Sequence, residues 1–204
     1  MPHTGRAMAA PSDTATPAPT KANNGNANTG LYIVDVTDKA NPLQLSYTTY
    51  PNARYCHQGW LDGEGKYFYI DDELDEGATV SVTTTIVVDV SNLNAPTFTG
   101  TFTNGNTAIG HNLFVNGTKL YEANYRSGMR VFDLAVSRTN PPEVAFFDTY
   151  PGSDSAQFNG LWNVWPFFPS GTVIGSDLER GLFVWKIAPP LATYAVVAPP
   201  ATIN

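Results

Sequence analysis

GLYIVDV at 30–36 reads as a short apolar strand opened by glycine and closed by an aspartate before its last valine. The pattern returns as TTIVVDV at 84–90, GMRVFDL at 128–134 and GLFVWKI at 181–187. Asp35, Asp89 and Asp133 share the sixth place, and Lys186 takes it in the last copy. The spacings are 54, 44 and 53 residues, in the range of a four-stranded propeller blade. A motif returning at this period predicts stacked copies of one supersecondary unit, because a single copy cannot bury its own apolar face.

The flanking segments supply the rest of the unit. After the first three copies comes a turn with proline (TDKANP, SNLNAP, AVSRTNPP) and then an alternating stretch: LQLSYTTY, TFTGTFT and EVAFFDTY. Period two marks a strand with one buried face. ATYAVVA at 192–198 is the matching candidate after the last copy. Upstream lie paired strand candidates, HQGWLD with KYFYIDD, HNLFVN with KLYEAN, and NGLWNVWPF with TVIGSD, each pair joined by turn-forming residues. The unit is therefore strand A, hairpin, strand B, loop, strand C, turn, strand D. Four antiparallel strands repeated about an axis make a β-propeller. The expected fold is all-β, with a partial blade at 30–50, blades at 57–103, 111–150 and 159–198, and a tail at 199–204. That is roughly three and a half blades, short of the four to eight of a typical ring. Residues 1–29, rich in Ala, Pro, Thr, Asn and Gly, read as an irregular lead-in.

Composition narrows the function. Only 14% of the 204 residues are charged and the net charge is −7. With no Lys/Arg cluster, a nucleic-acid partner is not expected. Cys56 is the only cysteine, which excludes an internal disulfide and a cysteine-rich metal site. No apolar run reaches transmembrane length. The first twenty residues lack the apolar core of a signal peptide. The Thr/Asn/Gly-rich, charge-poor surface nonetheless resembles that of an exported protein, so the leader is expected outside this chain. No G-x-S-x-G, H-E-x-x-H, P-loop or G-x-G-x-x-G is present.

The GLYIVDV type of run is the signature of the LVIVD repeat. The stretch from His57 to Ile187 resembles the choice-of-anchor B family through HQGW at 57–60, DDELDE at 71–76, HNLF at 111–114, NYRSG at 124–128, FDTYPGSDSAQFNG at 147–160 and WPFFPSGTVIGSDLERGLFV at 165–184. That resemblance implies a propeller, export and an extracellular or cell-surface location. It implies no defined activity.

Topology predicts where chemistry would gather. Strand A lines the channel and strand B runs antiparallel to it, so strand-A starts and strand-B ends meet at one rim. This places His57, His111 and Asn159 beside Asp72, Asn124 and Asp177. His57, His111 and Asp72 form a candidate site for Zn²⁺ or iron, and the acidic run Asp71, Asp72, Glu73, Asp75 and Glu76 is a candidate for Ca²⁺. The other reading of these residues is structural: polar groups tying loop to loop by hydrogen bonds. Arg126 and Arg180, in equivalent B–C loops, either clamp a ligand carboxylate or pair with Glu179 or Asp177. Trp60, Trp162, Trp165, Phe167 and Phe168 read as inter-blade packing or as a binding platform for a sugar or peptide. The leading expectation is a non-enzymatic binding or scaffolding module for a protein, peptide or glycan at the rim. The alternative is a metal-dependent oxidase or hydrolase. Unpaired blade edges would also permit self-association.

Overall fold

The computed structural model describes residues 6–9 and 29–187. The candidate strand at 192–198, the tail at 199–204 and His3 lie outside the described residues.

The fold is all-β and forms an open, partial propeller. The first complete sheet contains β4 (Cys56–Leu61), β5 (Tyr67–Asp72), β6 (Thr85–Asp89) and β7 (Thr97–Phe102), paired in that order. The second contains β8 (Asn112–Asn116), β9 (Lys119–Ala123), β10 (Met129–Asp133) and β11 (Glu143–Phe147). A three-stranded sheet of β12 (Leu161–Trp165), β13 (Thr172–Asp177) and β14 (Gly181–Lys186) follows. At the other end β2 (Gly30–Asp35) and β3 (Leu43–Thr49) are joined by β1 (Arg6–Ala9). Thus one strand comes from the stretch read as a lead-in, pairing antiparallel with β2 at the strand-B place, Arg6 opposite Asp35.

The repeated residues have local explanations. The carboxylates of Asp35, Asp89 and Asp133 each accept the backbone N–H two residues on, from Thr37, Ser91 and Ala135. This side-chain turn starts the C-to-D connection. Lys186 carries no acceptor and cannot make it. The register shifts one or two residues before each of those aspartates, between Ile33 and Val34, Val87 and Val88, and Val131 and Phe132; the extra residue, Leu45, Thr99 or Val144, lies on strand D and bends it.

Sheets stack face to face, and alternation decides which face each residue serves. Leu31 and Ile33 pack on Phe68, Ile70, Ile86 and Val88. Tyr69 and Val87 pack on Leu113, Leu120 and Phe132. Tyr121, Met129 and Val131 pack on Leu161, Val164 and Val173. The innermost strands β4, β8 and β12 stand next to one another, which brings the starts of three blades to a common end of the axis. Trp60, Trp165 and Phe167 pack with Phe114 between blades. Among the described residues no helix is long and apolar enough to cross a membrane.

Candidate functional site

Three features of the backbone aim the central side chains. His57 is the extra residue of a bulge in β4, where Cys56 pairs with Asp72 and Gln58 with Asp71; a bulge re-aims the side chain it carries. His111 immediately precedes β8, and Glu73 immediately follows β5. The two imidazoles stack with centroids 4.5 Å apart and 15° between their planes. Glu73 bridges them: Oε2 lies 3.5 Å from His57 Nδ1 and Oε1 lies 3.3 Å from His111 Nε2. The Tyr125 hydroxyl donates to Glu73 Oε1 at 2.7 Å.

Hydrogen bonding sets the tautomer of His111. Its Nδ1 lies 2.7 Å from the carbonyl oxygen of Trp162, a distance that requires a proton on that nitrogen. Burial, reinforced by the neighbouring His57, pushes His111 down to about 4. Its Nε2 faces a carboxylate oxygen of Glu73. His57 Nδ1, also buried, has no hydrogen-bond partner among the described residues. Among those residues, His57, Glu73 and His111 are the one set of His, Cys, Asp or Glu side chains that brings three ligand atoms within 4.8 Å of one another.

The carboxylate at this point is Glu73, and the expectation of Asp72 is corrected. Asp72 is consumed by structure: it accepts from the Tyr50 hydroxyl and from the backbone N–H groups of Arg54, Tyr55 and Leu74. Consecutive residues face opposite ways at a strand end, so Asp72 turns to the 50–55 turn and Glu73 to the imidazoles. No residue pattern in the sequence marks Glu73; the pairing of Cys56 with Asp72 beside the bulge at His57 is what points to it.

The remaining rim residues divide into separate local sets. Arg126 donates to Asn159 Oδ1 from Nε and Nη2 and to Ser155 Oγ from Nη1, and its guanidinium covers the Tyr150 ring. Asn159 in turn donates to Glu179. Arg126 is thus tied to Glu179 through an amide rather than by direct ion pairing. Asp177 Oδ1 accepts the backbone N–H groups of Glu179 and Arg180. The Arg180 side chain is exposed and borders a shallow depression with Tyr150, Gly152 and Ser153. Asn124 is fully buried and donates to Glu122.

The acidic run is split as well. Asp71, Asp75 and Glu76 are buried, and Glu122 faces them from the next blade. Burial and mutual repulsion raise Asp71 well above the carboxylate range, and burial likewise raises Asp75 and Glu76. Hydroxyl and backbone donors serve part of this group, with Thr85 donating to Glu122, Thr84 Oγ1 to Asp75 and Thr84 N to Glu76, while both Asp71 oxygens are buried without a hydrogen-bond partner among the described residues. These carboxylates do not converge as the His57, Glu73 and His111 atoms do. Cys56 is buried, with burial pushing its thiol up to about 12, and it packs in the core beside Tyr50. It is a small apolar residue here.

Comparison with known proteins agrees with the architecture. The LVIVD repeat profile matches residues 25–49 and 83–104, the C and D strands of two blades. The chain forms an open β-propeller, and these two stretches are similar to the LVIVD repeat. No curated protein matches the sequence. A functionally unknown protein from Desulfotomaculum acetoxidans shares 11% identity at a TM-score of 0.56, over 78% of this chain and 48% of that one. The computationally designed Ika4 protein shares 10% at 0.51, over 78% and 81%. Hydrazine synthase of Kuenenia stuttgartiensis shares 14% at 0.49, over 73% and 36%. The chain therefore spans about a third and about half of the two natural structures. Likeness at these identities speaks to fold alone.

Proposed function

We propose that this chain is a non-enzymatic binding module of an exported, surface-exposed propeller of the choice-of-anchor B kind, and that it captures a peptide or glycan at the channel rim. The observation that carries this reading is aromatic exposure beside a polar centre. Trp162 is 44% and Phe158 52% exposed, although both touch the buried cluster: Trp162 meets the His111 ring edge-on at 4.7 Å and Phe158 meets Tyr125 at 5.3 Å. Large aromatic faces left open next to convergent polar groups suit a ring-bearing or apolar ligand with a few oriented hydrogen bonds. Arg180 and the adjoining depression offer a second contact for a carboxylate. The absence of a recognised catalytic motif in the sequence favours binding over turnover.

Glycan and peptide arrays probed with the wild-type chain and with Trp162→Ala test the reading. Wild-type binding to a defined subset, lost by at least tenfold in the variant, is the expected result. Equal binding by both proteins, or none by either, contradicts it. The competing reading, a metal-dependent oxidase or hydrolase, requires an ion at the paired histidines.

A further inference from the structure

We propose that His57, Glu73 and His111 form a site for a divalent transition ion, with Zn²⁺ as the probe, that leaves at least one coordination position open to the rim. The inference stands independently of any macromolecular ligand there.

Three potential ligand atoms converge here, all within 4.8 Å of one another. His111 Nδ1 is engaged by the Trp162 carbonyl at 2.7 Å, which leaves Nε2 facing Glu73 Oε1 at 3.3 Å. His57 Nδ1 stands 3.5 Å from the other carboxylate oxygen and lacks a hydrogen-bond partner among the described residues. The separations suit an ion: bonds of about 2.0–2.1 Å in a tetrahedron place ligand atoms roughly 3.3–3.4 Å apart. The outer contacts also match a metal centre. A ligating imidazole fixed by a carbonyl at its other nitrogen and a ligating carboxylate held by a hydroxyl are the usual supporting partners, here Trp162 and Tyr125.

Ligand chemistry sets the class. Two imidazoles and one carboxylate favour zinc and its neighbours over Ca²⁺ or Mg²⁺, which take oxygen ligands. Three protein ligands leave an open position, as in catalytic rather than structural zinc sites. The stacked rings run nearly parallel, so both lone pairs cannot point at one ion as they stand. His111 is pinned and buried, whereas His57 is partly exposed at its bulge. Loading therefore turns the His57 ring and leaves His111 in place.

The test uses the full 204-residue chain, freed of any purification tag and stripped of metal, with Zn²⁺ titrated against a chromogenic chelator. One equivalent is expected to bind. Glu73→Gln and His57→Ala are expected to weaken binding by more than the roughly 10- to 100-fold that losing an outer partner costs. His3→Ala and Asp177→Asn are expected to bind as wild type, and circular dichroism confirms that each variant folds. Co²⁺ substitution should give the intense visible absorption of a site with few ligands, absent in Glu73→Gln. Wild-type uptake below about a tenth of an equivalent overturns the proposal, given the affinities of built sites. So does folded Glu73→Gln that binds as tightly as wild type, since uptake would then lie elsewhere.

Discussion

Strand C of the middle blades and strand C of the last sheet carry the same motif in different surroundings. Val87 and Val131 are 0% exposed, and their counterpart Val184 is 63% exposed. Thr85 and Met129 are 2% and 3% exposed, and their counterpart Leu182 is 68% exposed. All six side chains occupy the face that meets the following blade. Over β14, no further sheet stands among the described residues. Burial in this architecture is thus a property of the interface between units, not of the unit, which is how quasi-one-dimensional stacking behaves. The opposite face of the same strand makes the point again: Trp185 packs back into the core shared with the preceding blade, as Phe132 does one blade earlier.

That contrast can be tested by making the same change in both places. Val131→Asp sets an unpaired charge in a closed interface and should lower unfolding stability by more than about 4 kcal/mol. Val184→Asp should lower it by about 1 kcal/mol or less, mostly through strand propensity. Urea midpoints measure both; similar losses would mean that β14 is covered as well. The glycines that open strand C come next. Gly128 and Gly181 both have positive φ, 74° and 80°, so alanine strains either by about 1–2 kcal/mol. At Gly128 the new methyl group would also run into the Phe147 carbonyl, with Thr149 N at 2.8 Å, whereas nothing lies within 4 Å at Gly181. Gly128→Ala should therefore cost about 3 kcal/mol or more and Gly181→Ala about half as much.

Strand-B ends give a smaller version of the same difference. Asp72 accepts from Tyr50 and three backbone N–H groups, while Asp177 accepts from two. Asp72→Ala should destabilise by about 2–3 kcal/mol and Asp177→Ala by about 1 kcal/mol, on the usual scale of one such bond. Proton linkage supplies the gentlest probe. Burial pushes Glu122 up to about 7 from an ordinary 4.5, with Arg130 and Glu143 near it and Asp71 facing it. The native state then holds a proton that the unfolded chain releases above about 4.5. The stability this contributes is full below that pH and is lost as pH rises towards 7. Glu122→Gln should flatten the fall in urea midpoint between pH 5 and 7, and an unchanged slope would assign it to other groups.

Most of the architecture was legible because strands in a repeat are written twice over, by period-two alternation and by recurrence of GLYIVDV-like runs. The pairing of His57 with His111 was legible for the same reason, since equivalent positions in adjacent blades meet at the axis. The acid that joins them was not. Aligning strand-B ends selects Asp72, but the side chain that reaches the imidazoles is one residue further on, and a bulge at His57 shifts the pairing that would have revealed it. Bulges follow from local backbone geometry and leave no residue pattern to read. The fate of Arg126 was equally hidden: its partner is the uncharged Asn159, which no charge-pairing argument selects. The strand Arg6–Ala9, RAMA, itself has none of the β-branched or aromatic residues that mark a strand.

Proton NMR of the metal-free chain gives the most direct check that wedge-shaped sheets bring distant imidazoles together. His57 and His111 are 54 positions apart in sequence yet have ring centroids separated by 4.5 Å. With His57→Ala and His111→Ala supplying the assignments, a nuclear Overhauser cross-peak between the two rings is predicted. A well-folded spectrum with both rings assigned and no cross-peak between them would contradict the arrangement.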